Sequence, residues 1–126
     1  MKLNPDCIRD ILIYVEEKTD LQNTVHISPQ NVPVELSSYK PNELLYHIKQ
    51  CELSNLFGGK VYWFIDSGCE IQYLSPSGHK FLSDIRSANA WQKTKQVAGT
   101  IGANSIDTLK QIAAGVITAL IQNQLH

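Results

Sequence analysis

The feature that most constrains this chain is a change of hydrophobic period at Lys60. The segment KVYWFI is β-branched and aromatic, Asp66-Ser67-Gly68 is a turn signal, and CEIQYL alternates Ile71 and Tyr73 with polar residues. Alternation with a period of two is typical of strands. The sequence therefore predicts a β-hairpin over residues 60–74, inside a chain whose other patterns are helical.

Helical patterns with capping signals flank the predicted hairpin on both sides. Asn4-Pro5-Asp6 is typical of an N-cap, a first helical position and a first-turn acid, and Ser75-Pro76 and Ser105 mark later helix starts. The predicted helices run from Pro5 to Lys18, from Pro41 to Phe57, from Pro76 to near Asn89, from Trp91 to Ile101 and from Ser105 onward.

The segment from Thr19 to Leu36 has no clear period, because prolines and small polar residues interrupt it. TVHI at 24–27 and VPVEL at 32–36 are each predicted as a short edge strand. Residues 37–40 are long enough only for a turn or one helical turn.

Helix, short helical turn, helix, β-hairpin and helix is the order of a winged helix-turn-helix, in which the helix before the hairpin is the recognition helix and the hairpin is the wing. The predicted fold class is therefore α+β and mostly helical, with two additional C-terminal helices. We expect a winged-helix domain over residues 1–89 and a helical extension over residues 90–126.

Two stretches carry a resemblance to a known family. LLYHIKQCELSNLF at 44–57 resembles a recognition helix of winged-helix regulators, and YLSPSGHKFLSDIR at 73–86 is similar to the segment that leaves the wing. With MKLNPDCIRDILIYVEE and the segment from Trp91 to Ala113, the chain resembles an uncharacterised family of phage and prophage proteins from low-GC Gram-positive bacteria. The resemblance covers most of the chain outside residues 19–36. It implies a winged-helix-like fold and a phage or prophage setting, and it supplies no activity.

Composition restricts the compartment and the partners. The formal net charge is −1, so any basic face that holds nucleic acid must be local. Cys7, Cys51 and Cys69 are an odd number without paired spacing, which favours reduced thiols in a cytoplasm. The apolar stretch from Ile106 to Ile121 is interrupted by charged and amide residues, so no membrane segment is expected.

Double-stranded DNA is the first predicted partner, through outward positions of the recognition helix. The candidate DNA-binding residues are Lys40, Asn42, Tyr46, Lys49, Gln50 and Lys60. Glu43 and Glu52 oppose a phosphate surface, and the wing tip has an acid and no base. The alternative is therefore a module that uses the same scaffold to bind a host or phage protein.

Metal binding and catalysis have weaker signals. His47 and Cys51 are four residues apart, and Cys69 and His79 are further conceivable zinc ligands, but no complete ligand motif is present. Both histidines are instead predicted to make hydrogen bonds that hold their helices. Gly58-Gly59 lacks the Lys-Ser/Thr of a phosphate loop, and SPSGH is not a nucleophile elbow. We expect no enzyme activity, no metal and no cofactor.

The last predicted helix is apolar on more than one face, so it must be buried somewhere, either within the chain or in a homodimer. Its small residues Ala113, Ala114 and Gly115 permit close approach of a second helix. The predicted dimer seam consists of Ile106, Leu109, Ile112, Ala113, Val116, Ile117 and Leu120. The favoured function is a homodimeric, phage-type winged-helix protein that binds DNA, with regulation of transcription as the role considered for it.

Overall fold

The structure, a computed structural model, describes residues 1–102 and 105–125. Across these residues it is an α+β fold with five α-helices and two small antiparallel sheets, and helix predominates. The chain forms two compact units, one spanning residues 3–79 and the other beginning at Lys80. The division expected from the sequence, between residues 89 and 90, falls inside a helix of the second unit.

Helix α1 (Pro5–Lys18) has the predicted bounds, because local capping determines them. The side chain of Asn4 accepts a hydrogen bond from the backbone N–H of Asp6, and Pro5 needs no acceptor for a backbone N–H at the first turn. Its buried stripe includes Ile8, Ile11 and Leu12. The predicted helix is therefore confirmed at both ends.

Helix α2 (Pro41–Leu53) begins at the predicted residue but ends four residues earlier than expected. Ser54 is its C-cap, and Asn55 follows with φ 61°, in the left-handed region that asparagine tolerates better than most residues. The prediction that this helix reaches Phe57 is wrong, because Asn55 ends it in the way a glycine usually does.

A three-stranded antiparallel sheet has the order β1-β4-β3, with β1 (Val25–Ile27), β3 (Tyr62–Trp63) and β4 (Cys69–Ile71). β3 and β4 are the two arms of the predicted hairpin, which is confirmed. β1 confirms the predicted edge strand in TVHI and pairs with β4, with Val25 opposite Ile71.

A second, two-stranded sheet joins β2 (Phe57–Gly58) to β5 (Tyr73–Leu74) at the base of the hairpin. The strand predicted in VPVEL is wrong. The chain forms a short 3-10 turn at Val34–Leu36 instead, which buries Leu36. Pro33 precedes this turn and has no N–H to donate to a sheet, which favours the turn over a strand.

The core of the first unit lies where α1 packs against α2, the 3-10 turn and β5. Its fully buried side chains include Ile8, Ile11, Leu12, Ile27, Leu36, Leu44, Ile48 and Ile71. Burying one such side chain stabilises a fold by about 1.5–3 kcal/mol, so these apolar contacts dominate the stability of the unit.

Helix α3 (Pro76–Ile85) starts where the sequence predicts, and its first turn is fixed by Ser75. The hydroxyl of Ser75 accepts from the backbone N–H of Gly78 and donates to the carbonyl of Asn55, while its N–H donates to the carbonyl of Leu56. The helix ends at Ile85 and not near Asn89, since a second cap follows almost at once.

Helix α4 (Ala88–Ile101) begins three residues before the expected start at Trp91, because the hydroxyl of Ser87 accepts from the N–H of Ala90. Gly102, at φ 71°, ends it as predicted. Helix α5 (Ile106–Gln124) follows its predicted N-cap, Ser105, and packs along α4.

Candidate functional site

The outward side of α2 carries most of the residues predicted to contact DNA. Asn42, Tyr46 and Lys49 are exposed, at spacings of four and three that place them on one helical face, and Gln50 is half-buried beside them. Lys40 is exposed at the N-cap. Burial on the opposite side involves Leu44, His47, Ile48 and Cys51.

Leu53 continues this outward face. The helical pattern assigns it to the apolar stripe of the core, yet it is 63% exposed. An exposed leucine at the end of α2 makes the face more apolar than the sequence predicts.

Lys49 is held in a small network that links α2 to the hairpin. Its Nζ lies 2.9 Å from Oε1 of Glu52, and the indole N–H of Trp63 donates to the same oxygen at 3.1 Å. The Nζ also lies 5.2 Å from the centre of the Trp63 ring. The charges of Lys49 and Glu52 therefore offset each other, which reduces the attraction of this face for phosphate.

Lys60, the remaining predicted DNA contact, is exposed just before β3, and its Nζ lies 5.5 Å from the centre of the Tyr62 ring. Lys40 lies at the N-cap of α2, Lys49 lies near the C-terminal end of α2, and Lys60 lies in the loop that follows β2. The three lysines are therefore separated along the sequence of the first unit.

The turn between β3 and β4, residues 64–68, is here called the wing turn. Phe64 and Ile65 project into solvent, at 46% and full exposure respectively. The N–H of Phe64 donates to the carbonyl of Gly68, the N–H of Ser67 donates to the carbonyl of Phe64, and the N–H of Gly68 donates to a carboxylate oxygen of Asp66. The turn therefore presents two apolar side chains from a hydrogen-bonded frame.

The exposure of the strand aromatics was predictable, since neighbouring strand residues point to opposite faces. Tyr62 and Phe64 are exposed and Trp63 is half-buried, as the alternation of the segment indicates. The exposure of Ile65 could not be read from its type, because isoleucine is more often a core residue.

Net charge differs strongly along the chain. Residues 3–79 contain ten Asp or Glu and five Lys or Arg, a formal charge of −5, whereas residues 80–126 contain five Lys or Arg and two Asp, a formal charge of +3. A surface that binds the DNA backbone needs clustered positive charge. The first unit has the opposite balance.

His47 has a structural role that uses both ring nitrogens. Its Nε2 lies 2.7 Å from the backbone nitrogen of Asn4 and its Nδ1 lies 2.8 Å from the carbonyl oxygen of Glu43. The amide can only donate and the carbonyl can only accept, so the ring is neutral with its proton on Nδ1. The prediction that His47 holds its helix by hydrogen bonds is confirmed.

For His79, the prediction of a hydrogen bond that holds its helix is wrong. His79 is exposed, and its Nδ1 lies 3.8 Å from Oε2 of Glu16, a separation too long for a hydrogen bond. The start of α3 is held by Ser75 instead.

The three thiols are free and buried. Burial raises the pKa of Cys7 and of Cys69 to about 12, with smaller contributions from nearby carboxylates, and burial also raises the pKa of Cys51. A protonated thiol is a poor metal ligand and a poor nucleophile. Within the described residues, no group of three or more His, Cys, Asp or Glu side chains is arranged to hold a metal ion.

The seven residues of the predicted dimer seam fall into two groups. Ile106, Leu109, Ala113 and Val116 are buried in the single chain, on the side of α5 that faces away from solvent. Ile112, Ile117 and Leu120 are half-buried. Only the second group presents surface for a further contact.

Within the part of the chain that the structure describes, no helix is long and apolar enough to cross a membrane. No curated protein and no solved structure matches the chain. A family model matches residues 2–104 of the chain.

Proposed function

The chain belongs to the family described as hypothetical protein DUF2513, whose model matches residues 2–104, and because that description names no activity, we propose its function from the geometry of its first unit. We propose a non-enzymatic winged-helix module that binds a protein partner through α2 and the wing turn.

The winged-helix assignment is supported by element order and strand pairing. Helix α1, strand β1, a 3-10 turn, helix α2, the β3–β4 hairpin and helix α3 follow one another, as in winged helix-turn-helix domains. β1 pairs with the second arm of the hairpin, which joins the wing to the helical part of the unit. In this assignment α2 is the recognition helix.

The observation that carries the protein-binding proposal is the wing turn. Phe64 and Ile65 are exposed on a hydrogen-bonded frame, so binding would bury apolar area with little loss of conformational entropy. Aromatic residues such as Phe64 are enriched at protein interfaces, whereas basic residues are expected where a wing follows a DNA backbone.

DNA binding is the second candidate, and one observation favours it. Lys40, Asn42 and Tyr46 are exposed at the N-terminal half of α2, the part of a recognition helix that reads base edges. Against it are the formal charge of −5 over residues 3–79 and the pairing of Lys49 with Glu52.

Site-specific photo-cross-linking tests the first proposal. We expect a cross-linker placed at Ile65 of the full chain, in its native host, to give one discrete protein adduct. The same group at Leu21, which is 87% exposed and distant from the wing turn in sequence, provides the control. Phe64→Ser should reduce the adduct by at least about tenfold, as expected for a hot-spot residue.

A titration of mixed duplex DNA separates the two candidates. At about 50 mM salt, where phosphate contacts are strong, we expect no DNA binding that depends on Lys40. Salt-sensitive DNA binding that Lys40→Gln weakens, together with no adduct at position 65, would replace the first proposal by the second.

Three narrower expectations stay predictions beside this proposal. A homodimer would use the half-buried Ile112, Ile117 and Leu120 of α5, as an alternative to any other protein bound at this surface, and sedimentation velocity tests for it. The phage or prophage setting and the cytoplasmic location rest on the sequence resemblance and on the reduced thiols.

A further inference from the structure

The second unit contains an open groove between α4 and α5, which the protein-binding proposal for α2 and the wing turn does not use. Its volume is about 490 Å³, within the range of about 300–1,000 Å³ seen for ligand sites. The apolar part of the lining is formed by Val97, Ile112, Val116, Ala119 and Leu120.

The polar part of the lining consists of one positively charged side chain and two neutral amides. Lys93 and the amides of Asn89 and Asn123 line the groove, and none of the described residues that line it is an Asp or Glu. Residues 80–126 as a whole have a formal charge of +3. The groove is therefore complementary to a partner that is apolar on one side and acidic beside it.

We propose that this groove binds an amphipathic helix with an acidic polar face, supplied by another protein. Two packed helices leave a groove into which the side-chain ridge of a third helix fits. From Ile112 to Asn123 the groove follows α5 for about 16 Å, or three helical turns. Three or four apolar anchors at spacings of three and four residues would fill it, with an acidic side chain opposite Lys93.

A second copy of this chain is a less suitable occupant. Residues 80–126 of another copy carry the same formal charge of +3, so a contact between these two parts would place like charges together. Small Gly115 and Ala119 line the groove and are exposed, which leaves room for larger side chains from a partner.

Two synthetic peptides and the full-length chain test the proposal by fluorescence anisotropy. The first peptide has about 14 residues, enough for nearly four helical turns, with Leu at helical spacing and Glu at the remaining positions. The second carries Lys in place of every Glu. We expect the acidic peptide to bind at least about tenfold more tightly than the basic one, and more weakly as salt rises.

Matched variants locate the binding. Ala119→Glu puts a charge into the groove and should weaken acidic-peptide binding at least about tenfold, or about 1.4 kcal/mol. Gln111→Glu makes the same change in net charge on the exposed side of α5 and should change affinity less than about twofold. Lys93→Gln should weaken binding by several-fold. Circular dichroism and the thermal midpoint of each variant verify that it is folded.

Two results would overturn the proposal. One is equal affinity for the two peptides, or acidic-peptide binding that Ala119→Glu leaves intact. The other is concentration-dependent self-association in sedimentation velocity that Ala119→Glu abolishes, because the occupant would then be a second copy. Neither result bears on the cross-link at Ile65, so the two proposals fail independently.

Discussion

At the scale of single residues, His47 joins the start of one helix to the body of another. Its Nε2 accepts a hydrogen bond from the backbone N–H of Asn4, the N-cap of α1, and its Nδ1–H donates one to the carbonyl of Glu43 in α2. A backbone N–H at a helix start needs an acceptor, and a buried one without a partner costs about 1–3 kcal/mol.

We expect His47→Phe to lower the free energy of unfolding by about 2 kcal/mol, because the replacement keeps the ring but removes both hydrogen bonds. His79→Gln, at an exposed position, should change it by less than about 0.5 kcal/mol. Urea denaturation measures both variants. Equal effects would contradict a special role for His47.

The buried thiols give a second prediction at this scale. At pH 8 a thiol with its ordinary pKa of 9.0 is partly ionised, whereas Cys7 and Cys69, with a pKa of about 12, are almost entirely protonated. We expect no reaction of the native chain with a disulfide reagent at pH 8, and three reactive thiols after unfolding in denaturant. Rapid labelling of the native chain would contradict this burial.

The same thiols make stability depend on pH in one direction. Between about pH 9 and 12 the unfolded chain loses thiol protons that the folded chain keeps, so it binds fewer protons than the folded chain. The free energy of unfolding should therefore fall as the pH rises through this window. Cys69→Ala should make the fall shallower in thermal melts, apart from any change in stability at neutral pH.

At the scale of elements, the start of α3 depends on a close backbone approach. A Cβ at Gly78 would overlap the backbone carbonyl oxygen of Leu56, far closer than van der Waals contact allows, and backbone cannot move aside as a flexible side chain can. We expect Gly78→Ala to destabilise the chain by several times the cost of an ordinary surface change, at about 3 kcal/mol.

Gly99→Ala is the matched control, since Gly99 lies in α4 with open space where a Cβ would be. Alanine in a helix is favoured over glycine by about 0.5–1 kcal/mol, so this variant should be more stable than the parent chain. Thermal melts of both variants compare the two positions. An unchanged thermal midpoint for Gly78→Ala would show that the backbone around Gly78 and Leu56 can accommodate a Cβ.

Sequence patterns predicted the helix ends that are fixed by a capping residue of recognisable type. Asn4 and Ser105 cap α1 and α5 through their own side chains, and Gly102 ends α4 by its backbone conformation. The end of α2 was missed because Asn55 takes the left-handed conformation that the pattern assigns to Gly58-Gly59. The start of α4 was missed because Ser87 resembles any other polar residue between two helices.

The candidate surfaces were only partly predictable for a different reason. Outward positions of α2 follow from its period, so Asn42, Tyr46 and Lys49 were found. Pairing of Lys49 with Glu52 and Trp63, and the exposure of Ile65, depend on tertiary contacts with no local signal. The groove between α4 and α5 likewise arises from packing.

At the scale of the whole molecule, opposite charges on the two parts of the sequence predict where polyanions bind. We expect retention on heparin to depend on residues 80–126, so Lys93→Gln with Lys110→Gln should lower the salt needed for elution. Lys40→Gln with Lys60→Gln, an equal loss of charge in the first unit, should lower it less. The reverse order would favour the DNA-binding face.

The pairing of β1 with β4 has a consequence for how the chain is made. Val25 meets Ile71, so the central sheet joins segments that are 46 residues apart. Contacts between distant segments slow folding, and on the ribosome the earlier segment must wait for the later one to emerge. Nascent chains that stop before β4 therefore leave Val25 and Ile27 without their sheet partner, and the two apolar side chains stay accessible to chaperones during that interval.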